Sequence, residues 1–167
     1  MERETAPMTS WNDVESAAPD LAGLVRARFE ATGLALVATL RADGSPRISG
    51  WEPLFDLGQV WLGSMPDSRK NADVRRDPRL ALHSATADKD AKEGDAKISG
   101  FAVDVIDEAE QRAYAQAFME GNEMDVPTPF DLFRIDITEI SMLRPGGDHL
   151  VIEWWRPGEE PHRIERR

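Results

Sequence analysis

The chain has 167 residues, no cysteine and a formal net charge of −11 at pH 7, because 31 acidic residues stand against 20 basic ones. The lack of cysteine excludes disulfides, thiolate nucleophiles and cysteine-ligated metals, and the acidic excess argues against a general affinity for nucleic acid or anionic membranes. No apolar run approaches the roughly 20 residues of a membrane span, and the polar N-terminus has no signal-peptide or transit-peptide features. A cytoplasmic protein with no membrane or nucleic-acid partner is therefore expected.

The N-terminal part of the chain divides into a tail and one packing helix. Residues 1–13 carry no periodic pattern, so they are predicted to be a mobile tail before a single domain over residues 14–167. A proline at position 19 and a glycine at position 33 bracket a helix. The buried face of this helix is predicted from Leu21, Leu24, Val25 and Phe29.

Short strands joined by tight turns dominate the rest of the chain. A helix over residues 107–120 interrupts them, capped by Asp107 with Glu110 three residues on. About seven strands arranged as hairpins, with helices at the ends, are typical of a small antiparallel barrel. The apolar residues of this helix available for burial are Ala109, Ala113, Ala117 and Phe118. Alternation and turn signals predict strands over residues 34–40, 46–51, 54–55, 60–64, 79–84, 96–106, 130–137, 140–144 and 149–156.

A short helix in the middle of the chain has its charges in an unusual place. Asp67 or Ser68 is a good N-cap, and the helix must end by Asp77 because a proline follows. Arg69 and Lys70 then fall in the first turn, where the helix dipole disfavours cations by some tenths of a kcal/mol. A bound anion would reverse that sign, since free N–H groups, the serine hydroxyl and two cations form a phosphate cradle. The alternative is a solvated basic turn, which is the more frequent meaning of an isolated Ser-Arg-Lys tripeptide.

The surrounding residues favour a small anionic ligand over a polyanion. Between Arg47 and Arg79 six basic residues stand against five acidic ones, a local charge of +1 in a strongly acidic chain. The chain contains no nucleotide-binding glycine motif, no nucleophile elbow and no metalloprotease motif, and its three histidines are scattered. No metal site is expected. If the protein is an enzyme, its reactive group is predicted to be a bound cofactor, because a cofactor asks the protein mainly to bind and orient.

Residues 33–85 contain two hairpins, the Ser68-Arg69-Lys70 tripeptide and the run Arg-Arg-Asp-Pro-Arg at 75–79. In these features the segment resembles the pyridoxamine 5'-phosphate oxidase-like family of flavin-binding split β-barrels. The likeness continues through residues 94–106 and weakly to the tail 162–167, roughly four-fifths of the chain. It implies a mainly β fold, a six- to seven-stranded antiparallel split barrel with short flanking helices. It also implies a homodimer that holds FMN between its protomers.

The resemblance assigns roles to particular positions. Arg47, Ser68, Arg69 and Lys70 match residues that bind the flavin phosphate. The strand that follows the flavin ring and ribityl chain is matched by Trp61, Leu62, Gly63 and Ser64. Trp155 and Arg163 of the partner subunit would close over the ring, with edge-strand packing as an equal alternative for the tryptophan.

One departure from the family bears on the substrate. Glu52 stands where the oxidase proper has a lysine, and a carboxylate there would repel the phosphate of pyridoxamine phosphate. The resemblance therefore implies an FMN-dependent oxidoreductase that transfers hydride to or from an unknown small molecule. The alternatives are a deazaflavin-dependent reductase, a noncatalytic dimer that binds flavin, haem or bilin, and a structural protein with an empty barrel.

Overall fold

The computed structural model describes residues 7–86, 89–122 and 124–167. Residues 1–6 of the predicted tail lie outside the described residues. No helix within the described ranges combines the length and the apolar character needed to cross a bilayer. The helices are α1 (Trp11–Ala17), α2 (Pro19–Glu30), α3 (Arg69–Arg76) and α4 (Glu108–Asn122), and the strands are β1 (Ala35–Leu40), β2 (Pro46–Trp51), β3 (Pro53–Asp56), β4 (Gln59–Ser64), β5 (Arg79–Ser84), β6 (Asp95–Asp104), β7 (Asp131–Pro145), β8 (Leu150–Trp155) and β9 (His162–Arg166).

The strands form one antiparallel sheet, which confirms the predicted fold class of a mainly β split barrel with short helices. Seven strands follow one another in the order β2-β1-β5-β6-β7-β4-β3, and β8 and β9 extend the sheet from β7 as a hairpin. The described residues therefore hold nine strands, two or three more than the six or seven that the resemblance implies.

One tryptophan links β2, at one end of this path, to β4, the second strand from the other end. Trp51 closes β2, and its indole Nε1 donates a hydrogen bond of 2.7 Å to the carbonyl oxygen of Gly63 in β4. The indole is buried and meets the ring of Phe133 edge-on, with 5.9 Å between the centroids. β2 and β4 are not hydrogen-bonded neighbours in the sheet, so beyond this bond the barrel stays open along a split.

Helix α1 contradicts part of the predicted N-terminal tail. The tail was expected to reach residue 13, but the helix begins at Trp11, whose side chain is buried against Phe55 with 4.8 Å between the ring centroids. Ser10 and Asp13 form a capping box that fixes the first turn. The sequence gives little sign of this helix, because it is only seven residues long and has just two buried apolar residues, Trp11 and Val14.

Helix α2 packs against the main core through a narrow stripe of apolar residues. Leu21, Val25 and Phe29 recur every fourth residue and are buried, as predicted. Leu24, predicted to join them, is exposed because it lies beside this stripe.

Strand β7 replaces two predicted strands. The segments 130–137 and 140–144 form one continuous strand that pairs with β6 along both halves. The register between β6 and β7 shifts at Ser99 and Gly100, because Thr138 is an extra residue on β7. The bulge moves the buried positions from odd numbers, ending at Ile137, to even numbers, starting at Ile140. In the sequence this change in the alternation of buried positions resembles a break between two strands.

Helix α4 starts where the sequence predicts but buries different residues. The Asp107 carboxylate accepts hydrogen bonds of 2.9 Å from the backbone N–H groups of residues 109 and 110. Ala109 and Ala113, predicted for burial, are exposed, while Tyr114 and Ala117 are buried. The helix turns its aromatic residues inward because they remove more apolar area from water than alanine does.

We expect Gly100→Ala to destabilise the fold by about 2 kcal/mol or more, because the added Cβ would lie 2.3 Å from the backbone oxygen of Asp136 at the bulge. Gly23→Ala is the matched control, since nothing lies within 4 Å of its added Cβ in the middle of α2. The control is expected to stabilise by about 0.5–1 kcal/mol. Urea denaturation of both variants tests this, and a neutral Gly100→Ala would contradict it.

Candidate functional site

Helix α3 has the limits that the sequence predicts. Ser68 is its N-cap, with the hydroxyl accepting a hydrogen bond of 3.3 Å from the backbone of Asn71, and Asp77 ends it. The Ser68 hydroxyl also lies 3.3 Å from that of Ser64, the last residue of β4. The start of α3 is thereby fixed beside the split between β2 and β4.

Most of the positive charge of this region is neutralised within the chain. Four of the six basic residues between 47 and 79 form ion pairs with carboxylates. The other two, Arg69 and Lys70, form none with any described residue. They are the two cations of the first turn, where the sequence predicts an anion. The pairs are Arg47 and Arg76 with Asp73, Arg75 with Asp104 and Asp131, and Arg79 with Asp77.

Asp73 is the centre of a buried network. Its carboxylate accepts hydrogen bonds from Arg47 Nε at 2.6 Å, from the Thr39 hydroxyl at 3.0 Å and from Arg76 at 3.2 Å. Burial raises the pKa of this carboxyl, but the three hydrogen bonds together outweigh it, so the pKa lies below its ordinary value. The network joins α3 to the hairpin of β1 and β2.

Arg47 takes part in this network through only one of its three guanidinium nitrogens. Its side chain is 19% exposed, and only Nε bonds to Asp73. Among the described residues neither terminal guanidinium nitrogen has a hydrogen-bond partner. The residue predicted to bind phosphate is thus oriented by a carboxylate and keeps donors for a ligand.

Lys70 lies over the tryptophan that closes the barrel. Its Nζ donates a hydrogen bond of 2.9 Å to the carbonyl oxygen of Gly50 and lies 4.5 Å from the centroid of Trp51. Burial lowers the pKa of this ammonium, and the charge of Glu52 opposes that shift. Arg69, by contrast, is exposed. An anion near Lys70 would compensate its desolvation.

Two cavities meet at this place. A cleft of about 360 Å³ lies along the split and is lined by Lys70, Ser68 and Trp51, among others. A side pocket of about 180 Å³ lies next to it, under helix α4. The two share one wall, which consists of Glu52, Gly63, Ser64 and Met65.

The strand assigned to the flavin ring divides into two parts. Trp61 and Leu62 are buried and pair with β3 on one side and β7 on the other, so neither lines the cleft. Gly63 and Ser64 extend past the end of β3 and line both cavities. Gly63 is required there, because a Cβ would lie 2.2 Å from the Tyr114 hydroxyl.

The two residues assigned to a partner subunit lie away from the cleft of their own chain. The Trp155 side chain is 3% exposed, packs in the main core and donates a hydrogen bond to the Glu159 carbonyl oxygen, which favours the packing alternative. Arg163 is 52% exposed on β9 and lies 3.2 Å from a carboxylate oxygen of Glu165.

Three aromatic residues of the side pocket were missed from the sequence. Tyr114 and Phe118 come from α4, and Phe130 precedes β7. The first two are four residues apart, so they share one helical face. That spacing was the available signal, but the alanines at other positions of the helix obscured it.

The split barrel, with basic residues at the start of a helix beside its opening, defines a class of ligand-binding β proteins. A family model described as pyridoxamine 5'-phosphate oxidase matches residues 21–144. The chain therefore belongs to the pyridoxamine 5'-phosphate oxidase-like family. No curated protein sequence matches the chain.

Solved structures share the fold at low identity. An FMN-binding protein related to pyridoxamine 5'-phosphate oxidase from Nostoc punctiforme has a TM-score of 0.63 at 14% identity, over 98% of both chains. PhzG from Burkholderia lata, in complex with tetrahydrophenazine-1-carboxylic acid, has a TM-score of 0.59 at 14% identity, over 97% of this chain and 98% of its own. A haem-binding protein from Mycobacterium smegmatis has a TM-score of 0.59 at 16% identity, over 80% of this chain and 57% of its own.

We expect Asp73→Asn to cost about 3 kcal/mol at pH 7, because it leaves Arg47 and Arg76 without their shared buried counter-charge. Since the pKa of Asp73 is lowered in the folded protein, its charged form contributes stability above about pH 4, and this is lost as the pH falls through the folded-state value. The measurement is urea denaturation of both proteins at pH 7 and pH 3.

Asp104→Asn is the matched control, because Asp104 is an exposed carboxylate at the end of β6 that pairs with Arg75 of the same helix, and its loss should cost less than about 1 kcal/mol. An Asp73→Asn penalty of the same size at both pH values would show that the buried charge is not what stabilises the network.

Proposed function

We propose that this protein is a homodimeric FMN-dependent oxidoreductase that acts on a small molecule. One observation carries the proposal: Lys70 is half-buried in a cleft beside the Ser68 hydroxyl, at a helix start where Arg69 also lacks a carboxylate partner among the described residues. The membership of the family and the FMN-binding neighbour from Nostoc punctiforme support a flavin as the ligand.

The donor set fits a phosphate group. Ser68, Arg69 and Lys70 surround free N–H groups of the first turn of α3, where the helix dipole favours negative charge. Arg47 approaches from β2, with its guanidinium oriented by Asp73. In this proposal these four residues hold the FMN phosphate, and Lys70 gains the counter-charge that its buried position lacks.

The rest of the cleft suits the remainder of FMN. Bound FMN supplies a ring that accepts and releases hydride at N5. The chain would contribute the open backbone of Gly63 and Ser64, which lies past the end of β3, to orient the ring. Trp61 and Leu62 would act indirectly: by pairing with β7 they hold β4, and with it Gly63 and Ser64, in position.

A second copy of the chain is proposed to cover the face of β1 and β2 that points away from the core. Leu36 and Ile48 are exposed there, the latter at 73%, and Ala38 lies opposite Ile48 in the register. Leu34 and Gly50, at the margin of the same face, line the cleft. A partner on this face would therefore complete the cleft.

Of the two residues assigned to the partner subunit, Arg163 stays a candidate to reach a neighbouring site, because its side chain is half exposed. Trp155 fits this role less well, since its indole is buried in its own core.

The proposal predicts that the purified protein is yellow and releases FMN on denaturation. The double variant Arg69→Ala, Lys70→Ala should lose affinity for FMN by at least about 100-fold, because each charge-assisted contact contributes about 1.5–3 kcal/mol. Added FMN should raise the melting temperature of the parent protein but hardly that of the variant. Arg112→Ala, an exposed cation of α4, is the control and should bind FMN normally.

Mass spectrometry of the copurified small molecule separates the alternatives. If a deazaflavin is the only molecule that copurifies, it replaces FMN as the proposed cofactor. Haem would place the chain with the neighbour from Mycobacterium smegmatis, and bilin or stoichiometric flavin without turnover would point to a storage or sensing role. No ligand, together with unchanged melting of the double variant, would favour an empty structural barrel.

The dimer proposal predicts that Ile48→Arg makes the protein monomeric, because the new charge would be desolvated at the centre of the proposed interface. Ile106→Arg is the matched control: Ile106 is 84% exposed, beyond the end of β6, and the same change there should leave the mass unchanged. Light scattering after gel filtration gives the mass. A dimer that survives Ile48→Arg would place the interface on another face.

A further inference from the structure

The side pocket under helix α4 is an aromatic box with one charged residue. Tyr114 packs against Phe118 and Phe130, with ring centroids 6.0 Å and 5.8 Å apart, and Val126 adds an aliphatic wall. Its volume of about 180 Å³ suits a single small ring with a short substituent. Because it adjoins the proposed cofactor cleft across Gly63 and Ser64, a molecule in it would lie next to whatever occupies the cleft.

Glu52 supplies the only charge among the described residues that line this pocket. It lies in the one-residue link between β2 and β3, and it has no hydrogen-bond or ion-pair partner in the described parts of the chain. Its charge acts on both cavities: it opposes the lowering of the Lys70 pKa by burial, and it adds to burial, which raises the pKa of the Tyr114 phenol to about 12. The phenol is therefore neutral, and Glu52 stands beside an otherwise uncharged set of described lining residues without forming an ion pair to Lys70 of the adjoining cleft.

We propose that the side pocket binds a small aromatic molecule that carries a protonated amine, with the ring among Tyr114, Phe118 and Phe130 and the amine beside Glu52. Calling this molecule the substrate rests on the proposed function, whereas its binding does not. The box removes the ring from water, and its aromatic faces and the carboxylate both attract a cation.

The same charge excludes anions from the pocket. A carboxylate or phosphate on the ligand would lie near the Glu52 carboxylate, and like charges repel. Lys70, the one cation among the described residues that line the cleft, does not line the side pocket. The two cavities thus differ in charge preference, one for an anion and one for a cation, and this keeps their ligands apart.

The test uses three probes of one shape: benzylamine, benzyl alcohol and benzoate. Their binding to the protein as purified is followed by calorimetry and by NMR shifts of the Met65 methyl group at the shared wall. The parent protein should bind benzylamine at least about tenfold more tightly than benzoate. Glu52→Gln should bring the two within about threefold, and Glu52→Lys should reverse the order.

Two further variants exclude trivial explanations. Glu108→Gln makes the same charge change on the exposed side of α4 and should keep the preference for benzylamine. Val126→Trp fills the pocket and should abolish binding of every probe, with circular dichroism and melting to check that it folds. Equal binding of benzylamine and benzoate, a preference that survives Glu52→Gln, or benzylamine binding that survives Val126→Trp would each overturn the inference.

The flavin content of each sample, measured in parallel, separates this inference from the proposed function. Charge-dependent benzylamine binding in protein without flavin would support the ligand class and overturn only the cofactor assignment. Flavin-loaded protein that shows no preference among the probes would overturn the ligand class alone.

Discussion

The site depends on one hydrogen bond, from the Trp51 indole to the Gly63 carbonyl oxygen. The indole is buried, so its N–H must find an acceptor within the protein. By binding to a strand that is not its neighbour in the sheet, Trp51 draws β2 toward β4 and holds the barrel at one point of its open side. The same indole is the surface over which Lys70 lies. The residue that links β2 to β4 therefore also provides the surface against which Lys70 lies.

Ion pairing then decides which positive charges remain for a ligand. Asp73 takes up two arginines, one from β2 and one from its own helix, while Asp104 and Asp131 take up a third. A sum of charges along the sequence finds the excess but cannot assign it to particular side chains. The fold makes that assignment, because Arg69 and Lys70 are the two basic residues of this segment that form no ion pair with a described carboxylate.

Features encoded by neighbouring residues could be predicted from the sequence. The N-cap at Ser68, the end of α3 and the first hairpin depend on capping, proline and turn chemistry, and all three are present. Features that depend on distant partners could not be predicted. The bulge at Thr138 requires knowledge of β6, and the inward turn of Tyr114 depends on the space that Gly63 leaves in another strand. The family resemblance gave the fold, but it did not reveal the aromatic box, which is built from α4 and the segment after it.

Strand β9 has a consequence for how sheets from two molecules can meet. It ends the sheet, all five of its residues are exposed, and Arg163, Glu165 and Arg166 stand among them. An unpaired edge is a template for another strand, and charged side chains along it oppose such growth. Edge-to-edge joining of two sheets at this margin is thereby disfavoured, and with it the growth of open-ended ribbons through β9.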